Sequence, residues 1–373
     1  MNTEFEKFAN EIKDRIFENS GDRDNLKIEV HHVQKVNQMD QISLSVAPKE
    51  SNVAPSIPLS AAFEAYKEGQ SMESILHSLE NTILNHTPTQ NVDVSCITSF
   101  ENVKDHIFPK LINKDMNKEL LDNVPHYDFG DLAVTFFVRL DPIEEIGSGT
   151  VTVNKQLFEG WGVEDKTVMD AAMDNLKANT QCKDMFGVIE DLNPSMASDL
   201  RPDIPDNQMP MVVSTDSQTF GAAAILNEDI MKALAERMGG EVIILPSSIH
   251  ECLVVCDNGD PAQEIQMTDM VQAVNETTVA PEDLLSDHIY HFNGEEIMMR
   301  ELPKNADIDT VINTPFTNLE LKSAQTGEVY WGKDIETAKE QDKSLTNDKA
   351  QEKSTIVNIE DKKQAPKRDD LAI

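Results

Sequence analysis

Residues 131–140 read DLAVTFFVRL, the most strand-like stretch of the sequence. Its centre consists of β-branched and aromatic residues, which favour strands because they pack well on a pleated, half-buried surface. The run is too short for a membrane span and about as long as a strand in a globular protein. We therefore expect a buried strand here and take it as the starting point of the fold.

A β-hairpin is predicted upstream of this strand. Leu26, Ile28 and Val30 alternate with polar residues, and a second run around Leu44 repeats the alternation after the polar segment 37–40. Side chains on a strand point to opposite faces in turn, so each run has one apolar face. Further short strands are predicted at 150–153, 211–214, 242–245, 252–255 and 289–292.

Amphipathic helices lie between these strands. The stretch 4–18 places Phe5, Phe8, Ile12 and Ile16 at helical spacing, and similar apolar faces occur at 71–83, 167–178 and 227–238. Amphipathic helices together with strands of alternating apolar and polar residues predict an α+β fold with mixed or antiparallel sheets.

The predicted organisation is two lobes followed by a tail. Four prolines between 193 and 210 mark a loop or a connection between lobes, and the predicted boundaries are 1–145 and 146–302, each an α+β lobe. Residues 303–373 are expected to be a mostly disordered polar tail, because such a composition buries too little apolar surface to offset its ordering entropy. Within this tail, 328–331 (EVYW) is an apolar cluster, interpreted as a chance grouping or as a docking motif.

The chain of 373 residues has a formal net charge of −35, and 53 of its 67 acidic residues lie in 1–302. Such a body repels phosphate backbones, so direct nucleic-acid binding through a basic surface is not expected, whereas a basic protein is a suitable partner. The sequence shows no signal peptide or membrane span, and its four cysteines are too few for a disulfide framework. We expect a cytoplasmic protein.

The segment 246–251 (PSSIHE) combines hydroxyls, an imidazole and a carboxylate. The candidate catalytic residues are Ser247, Ser248, His250 and Glu251, which together contain the ingredients of a serine hydrolase. However, residues so close on one loop rarely converge as a triad, and the sequence lacks a G-x-S-x-G elbow. A turn is the simpler interpretation.

No metal or cofactor is predicted. His250, Cys252 and Cys256 share one face of a strand, but positions 252 and 256 lie about 13 Å apart there, too far for one zinc ion. The segment 287–291 (DHIYH) has two imidazoles without a third ligand at a recognisable spacing, so it is interpreted as a strand edge. Walker A, H-E-x-x-H and EF-hand motifs are missing from the sequence.

Several blocks in the same order resemble an uncharacterised family of clostridial proteins. They are NVAPSIPLS (52–60), KLINKDMNKELL (110–121), WGV (161–163), FGAAAIL (220–226), PSSIHE (246–251) and LLSDHIY (284–290). The resemblance covers about 1–302 and implies a domain of unknown function without catalytic residues to transfer. It also implies an origin as accessory cargo of mobile genetic elements.

Three hypotheses for the function follow. The first is a non-enzymatic, acidic binding or regulatory protein of the cytoplasm. The second is a hydrolase that uses the loop 246–251. The third is an acidic, phosphate-mimicking inhibitor of a nucleic-acid-binding protein, which requires carboxylates grouped on one face.

Overall fold

The computed structural model describes residues 3–20, 25–33, 36–37, 41–51, 56–86, 95–143, 147–192 and 203–331. Over this part of the chain the α+β fold is confirmed, and every strand pairing is antiparallel. The α-helices are α1 (Thr3–Asn19), α2 (Ser60–Lys67), α3 (Met72–His86), α4 (Ser95–Thr98), α5 (Phe100–Val103), α6 (Lys118–Leu121), α7 (Lys155–Trp161), α8 (Asp165–Asn179), α9 (Met185–Leu192), α10 (Glu228–Met238), α11 (Pro261–Thr277) and α12 (Ile308–Asn313). Short 3₁₀ helices span Asp206–Gln208, Gly221–Leu226 and Pro281–Asp283.

The strands form three sheets. They are β1 (Leu26–Val33), β2 (Gln41–Pro48), β3 (Ser56–Pro58), β4 (Ile107–Asn113), β5 (Tyr127–Phe129), β6 (Leu132–Ile143), β7 (Gly147–Thr152), β8 (Thr180–Asp184), β9 (Met211–Thr215), β10 (Val242–Ser248), β11 (Glu251–Cys256), β12 (Tyr290–Phe292), β13 (Ile297–Met299), β14 (Thr317–Asn318), β15 (Leu321–Ser323) and β16 (Val329–Trp331). Their orders are β1-β2-β3, then β16-β15-β5-β6-β4 with β7 also paired to β6, then β14-β13-β12-β10-β11-β9-β8.

The N-terminal sheet has its own hydrophobic core. The predicted hairpin is confirmed, with Ile28 opposite Val46 and Val30 opposite Leu44. Phe8 and Ile12 of α1 are buried against these strands together with α2 and α3. Alternation with period two in the hairpin and period 3.6 in α1 creates apolar faces that bury each other.

The strand predicted from DLAVTFFVRL is β6, which lies inside the second sheet. Val134, Phe136 and Val138 face a large core that also contains Val168 and Leu176 of α8. The intervening residues point to the opposite face, where Phe137 stacks on Phe108 with ring centroids 5.8 Å apart. Both faces of β6 are therefore covered, which explains why the run is apolar at nearly every position.

This large core contains residues from both sides of the predicted boundary at 145/146, including Val134 before it and Met211 after it. The 3₁₀ helix Gly221–Leu226, which is entirely buried, packs between the second and third sheets. The division into two lobes remains a prediction.

The tail begins later than predicted. Residues 308–331 form α12 and the strands β14, β15 and β16, and Val311, Leu319 and Leu321 are buried. Here the prediction from composition was wrong, because short strands can extend existing sheets while burying few side chains of their own. In the EVYW cluster, Trp331 stacks on Phe129 at 5.9 Å and the hydroxyl of Tyr330 donates to Asp170 at 2.7 Å. The rest of the predicted tail, 332–373, lies outside the described residues.

Gly221 lies so close to neighbouring parts of the chain that no side chain fits at this position. A Cβ placed there would lie 2.1 Å from the Ser214 hydroxyl, 2.5 Å from the His250 carbonyl oxygen and 2.8 Å from the Thr215 backbone nitrogen. Two of these three atoms belong to the backbone, and the third, the Ser214 hydroxyl oxygen, is held in place because the hydroxyl donates to the same His250 carbonyl at 2.7 Å. The absence of a side chain lets the 3₁₀ helix lie against β9 and the turn after β10.

We predict that Gly221→Ala lowers the free energy of unfolding by at least about 2 kcal/mol, because backbone must move to relieve the overlap. Gly240→Ala is the matched control, since a Cβ at Gly240 meets nothing within 4 Å. Urea denaturation of both variants measures the difference. Equal midpoints for the two variants would contradict the close approach.

Candidate functional site

The segment 246–251 forms the end of β10 and the turn into β11. The His250 ring accepts a hydrogen bond at Nδ1 from the backbone N–H of Phe220, with a nitrogen–nitrogen distance of 3.2 Å. Nδ1 therefore carries no proton, and Nε2 donates to Asp283 Oδ1 at 3.2 Å. Both ring nitrogens are occupied, so the imidazole links this turn to two other loops.

The other candidate residues have different surroundings. The Ser248 hydroxyl accepts a hydrogen bond from the His250 backbone N–H at 3.0 Å, as serine often does in turns. Ser247 and Glu251 line an apolar groove. The structure thus brings Ser247 and Glu251 to one cavity, while the His250 ring is bound to Phe220 and Asp283.

The groove lies between α9 and α11 on one face of the third sheet and has a volume of about 340 Å³. Val212, Leu245 and Leu253, aligned across β9, β10 and β11, contribute to its floor. Its walls come from the two helices: Met185, Val188 and Ile189 from α9, and Met270, Val271, Val274 and Asn275 from α11. Met270 and Val274 are 41% and 39% exposed.

A buried charged cluster holds the first half of α11 against the sheet. Glu264 of α11 lies 3.0 Å from Arg300 Nε and 3.7 Å from His291 Nε2, and His291 Nδ1 lies 3.0 Å from Asp257. Burial lowers the pKa of His291, but its bonds to Asp257 and Glu264 outweigh this and raise the pKa above the ordinary value. The bond to His291 lowers the pKa of Asp257. Charges of opposite sign therefore alternate through the cluster.

Asp131, in the turn between β5 and β6, accepts three side-chain hydrogen bonds. Ser286 Oγ and His288 Nδ1 donate to Oδ2 at 2.6 and 3.2 Å, and the Tyr290 hydroxyl donates to Oδ1 at 2.7 Å. Burial raises the pKa of Asp131, but these bonds outweigh it and hold the pKa below its usual value. The bond to Asp131 raises the pKa of His288. We call these four residues the Asp131 clamp.

This clamp was not predicted from the sequence. The segment 287–291 was singled out there for its two imidazoles, whereas Ser286, His288 and Tyr290 are the residues that converge on Asp131. Their spacing of two residues was the available signal, because such positions share one face of an extended chain. Asp131, 155 residues away from Ser286, could not be identified by spacing.

The segment that supplies the clamp also binds other parts of the fold. Asn113 Nδ2 donates to the Leu285 carbonyl at 3.0 Å, and the Ile249 backbone N–H donates to the Asp283 carbonyl at 2.8 Å. Asn275, near the end of α11, donates to the Ser286 carbonyl at 2.9 Å. Residues 281–290 thus connect the second sheet, the turn after β10 and the groove wall.

Within the described ranges, no group of three or more His, Cys, Asp or Glu side chains could hold a metal ion, and no helix is long and apolar enough to cross a membrane. Cys182, Cys252 and Cys256 are free thiols. Burial raises the pKa of Cys182 to about 11 and that of Cys252 further, so neither forms a thiolate readily at neutral pH.

Residues 5–294 match a family of unknown function, DUF5688. The chain belongs to this family. Membership of an uncharacterised family, expected from the sequence blocks, is therefore confirmed. No curated protein and no solved structure matches the chain.

We predict that Asp131→Asn lowers the free energy of unfolding by about 3 kcal/mol near pH 5.5, because the variant loses charge-assisted hydrogen bonds. The Asp131 carboxylate stabilises the fold at pH values above about 3.9, the pKa of an aspartate in the unfolded chain, and this stabilisation is lost as the pH falls through the lowered pKa of the folded state. The protonated His288 ring stabilises the fold fully below about pH 6.5, the pKa of a histidine in the unfolded chain. This stabilisation is lost as the pH rises through the raised pKa of His288 in the folded state. The stability difference should therefore be largest between about pH 4 and 6.5.

Urea unfolding of wild type and variant across this pH range measures the difference. Asp128→Asn is the control, since Asp128 forms an exposed ion pair with Lys114, and it should cost less than about 1 kcal/mol. A cost of Asp131→Asn that does not vary with pH would contradict the clamp.

Proposed function

We propose that this protein is a non-enzymatic binding protein whose groove between α9 and α11 receives an amphipathic helix with a basic face from a protein partner. The observation that carries the proposal is the exposed apolar lining of this groove, with Met270 and Val274 facing solvent at its rim. Exposed apolar clusters of this kind mark interaction sites.

The shape of the groove favours a helix. Two helices flank an open strip of sheet, so a third helix can enter the same layer and pack on the floor residues Val212 and Leu253. Met185 and Met270 stand on opposite walls. Methionine side chains are flexible and polarisable, so they adapt to the apolar face of an incoming helix.

The charge around the groove favours a basic partner. Glu251 lines the cavity, Glu190 and Asp191 are exposed beside Ile189 on α9, and Asp269 is exposed beside Met270. Lys183, which is near this rim, is already paired with Asp191 at 2.9 Å. With a net charge of −35, the chain attracts cationic surfaces at long range as well.

The test uses a synthetic Leu/Lys helix of about 18 residues and a Leu/Glu helix with the same apolar pattern. We predict that the Leu/Lys peptide binds, with an affinity that falls as sodium chloride rises, and that the Leu/Glu peptide does not. Replacing Met270 and Val274 together with Gln removes about 2 kcal/mol of apolar burial and should weaken binding roughly 30-fold. Calorimetric titration measures these affinities.

The matched control is Ile312→Gln on α12, because Ile312 is an aliphatic residue outside the groove that is 62% exposed. This control should bind the Leu/Lys peptide as wild type does. Equal binding of the Leu/Lys peptide by wild type and the Met270/Val274 variant, or equal binding of the Leu/Glu peptide by wild type, would overturn the proposal.

A further inference from the structure

Lys110 is a buried lysine on β4, with 1% of its surface exposed. Its amine donates to Thr152 Oγ1 at 3.1 Å, and within the described part of the chain it forms no ion pair with a carboxylate. The isolation of this amine is unusual in a chain with 67 acidic residues against 32 basic ones. A buried ammonium without a counter-ion is costly, so the surroundings favour the neutral amine.

Burial lowers the pKa of Lys110 to about 8. At pH 7 about a tenth of the amine is then neutral, compared with less than about a thousandth for an ordinary lysine. The neutral amine is the nucleophilic form, which is why lysines that react with carbonyl groups lie in desolvated sites.

The ring of Phe220 covers this amine, and we call it the roof of the site. The Lys110 Nζ lies 4.9 Å from the centre of the Phe220 ring, and the His250 ring stacks on Phe220 at 6.0 Å with an angle of 23° between the planes. Phe137 contacts the same ring edge-on at 5.2 Å. A phenyl ring thus fills a slot beside an amine, an imidazole and another phenyl ring.

The roof belongs to a surface loop. Phe220 is half-buried, and residues 216–218 before it are exposed. Phe220 and Gln218 have φ angles of +52° and +56°, in the left-handed region that non-glycine residues adopt at a cost. The Phe220 backbone N–H donates to His250 Nδ1, and the closely packed Gly221 follows directly. The side chain that covers the Lys110 amine therefore lies at the end of an exposed loop with two strained positions, directly before the closely packed Gly221.

We propose that Lys110 is a gated amine that forms an imine with a small aromatic aldehyde, whose ring takes the place of the Phe220 side chain. The amine nitrogen attacks the carbonyl carbon, a carbon–nitrogen bond forms, and the carbonyl oxygen leaves as water with the two amine protons. The product is a neutral imine, and water reverses the step. This site is separate from the groove, and the proposal does not depend on the groove binding a helix.

The test incubates the full chain with benzaldehyde and cyanoborohydride, which reduces any imine to a stable secondary amine. Peptide mass spectrometry then gives the rate of labelling at each lysine. Lys114 is the internal control, because it directly follows β4 in the chain but pairs with Asp128 at 2.6 Å and has 36% of its side chain exposed. We expect Lys110 to be labelled at least about tenfold faster than Lys114 at pH 7.

Phe220→Ala, which removes the roof and leaves the backbone N–H, should accelerate labelling of Lys110 and leave the rate at Lys114 unchanged. Circular dichroism and the denaturation midpoint show whether this variant is folded, and the comparison within the wild-type protein stands without it. Labelling of Lys110 no faster than Lys114 in the wild type would overturn the proposal. So would a folded Phe220→Ala variant in which Lys110 is labelled no faster than in the wild type.

Discussion

The carboxylate of Asp131 joins two parts of the chain that are far apart in sequence. It is partly buried in the turn between β5 and β6, and it accepts hydrogen bonds from Ser286, His288 and Tyr290 of one extended segment. A buried carboxylate is costly unless donors surround it, and removing the donors would leave the charge uncompensated. The position of 281–290 against the second sheet therefore depends on this clamp.

The clamp also determines where the groove lies. Through Asn275, the segment 281–290 binds the C-terminal part of α11, while Glu264 binds the N-terminal part of α11 to Arg300 and His291. Met270 and Val274 lie between the anchoring residues Glu264 and Asn275, and Val274 is next to Asn275 in the sequence. The wall of the groove is held by polar contacts at both ends, which leaves its apolar middle free to face a partner.

Much of the fold was predictable where alternation or helical spacing was strong. The hairpin of β1 and β2, the helix α1 and the strand β6 each have a clear apolar face. The helix α11 was missed because its buried positions include Glu264, Thr268 and Asn275, and polar residues hide the period of a helix. Asp260, which caps this helix, and Pro261 at its first position were the signals that could have found it.

The strand β4 was missed for a different reason. Pro109 and Lys110 interrupt its apolar run, and both are tolerated because β4 is an edge strand and because Thr152 accepts a bond from the lysine. The candidate residues 247–251 lie at the end of β10, in the turn 249–250 and at the start of β11, but the partners of His250, at Phe220 and Asp283, come from distant loops. Contacts of this kind depend on tertiary packing and leave no local pattern in the sequence.

Hydrogen–deuterium exchange of the full chain, with and without the Leu/Lys peptide, tests most directly whether the groove is the binding surface. Backbone amides that become buried or less mobile on binding exchange more slowly. We expect slower exchange in 185–192 and 266–275, which form the two walls, and no change in 281–290 or in the N-terminal hairpin. Protection confined to regions away from these walls, or no protection at saturating peptide, would contradict the account.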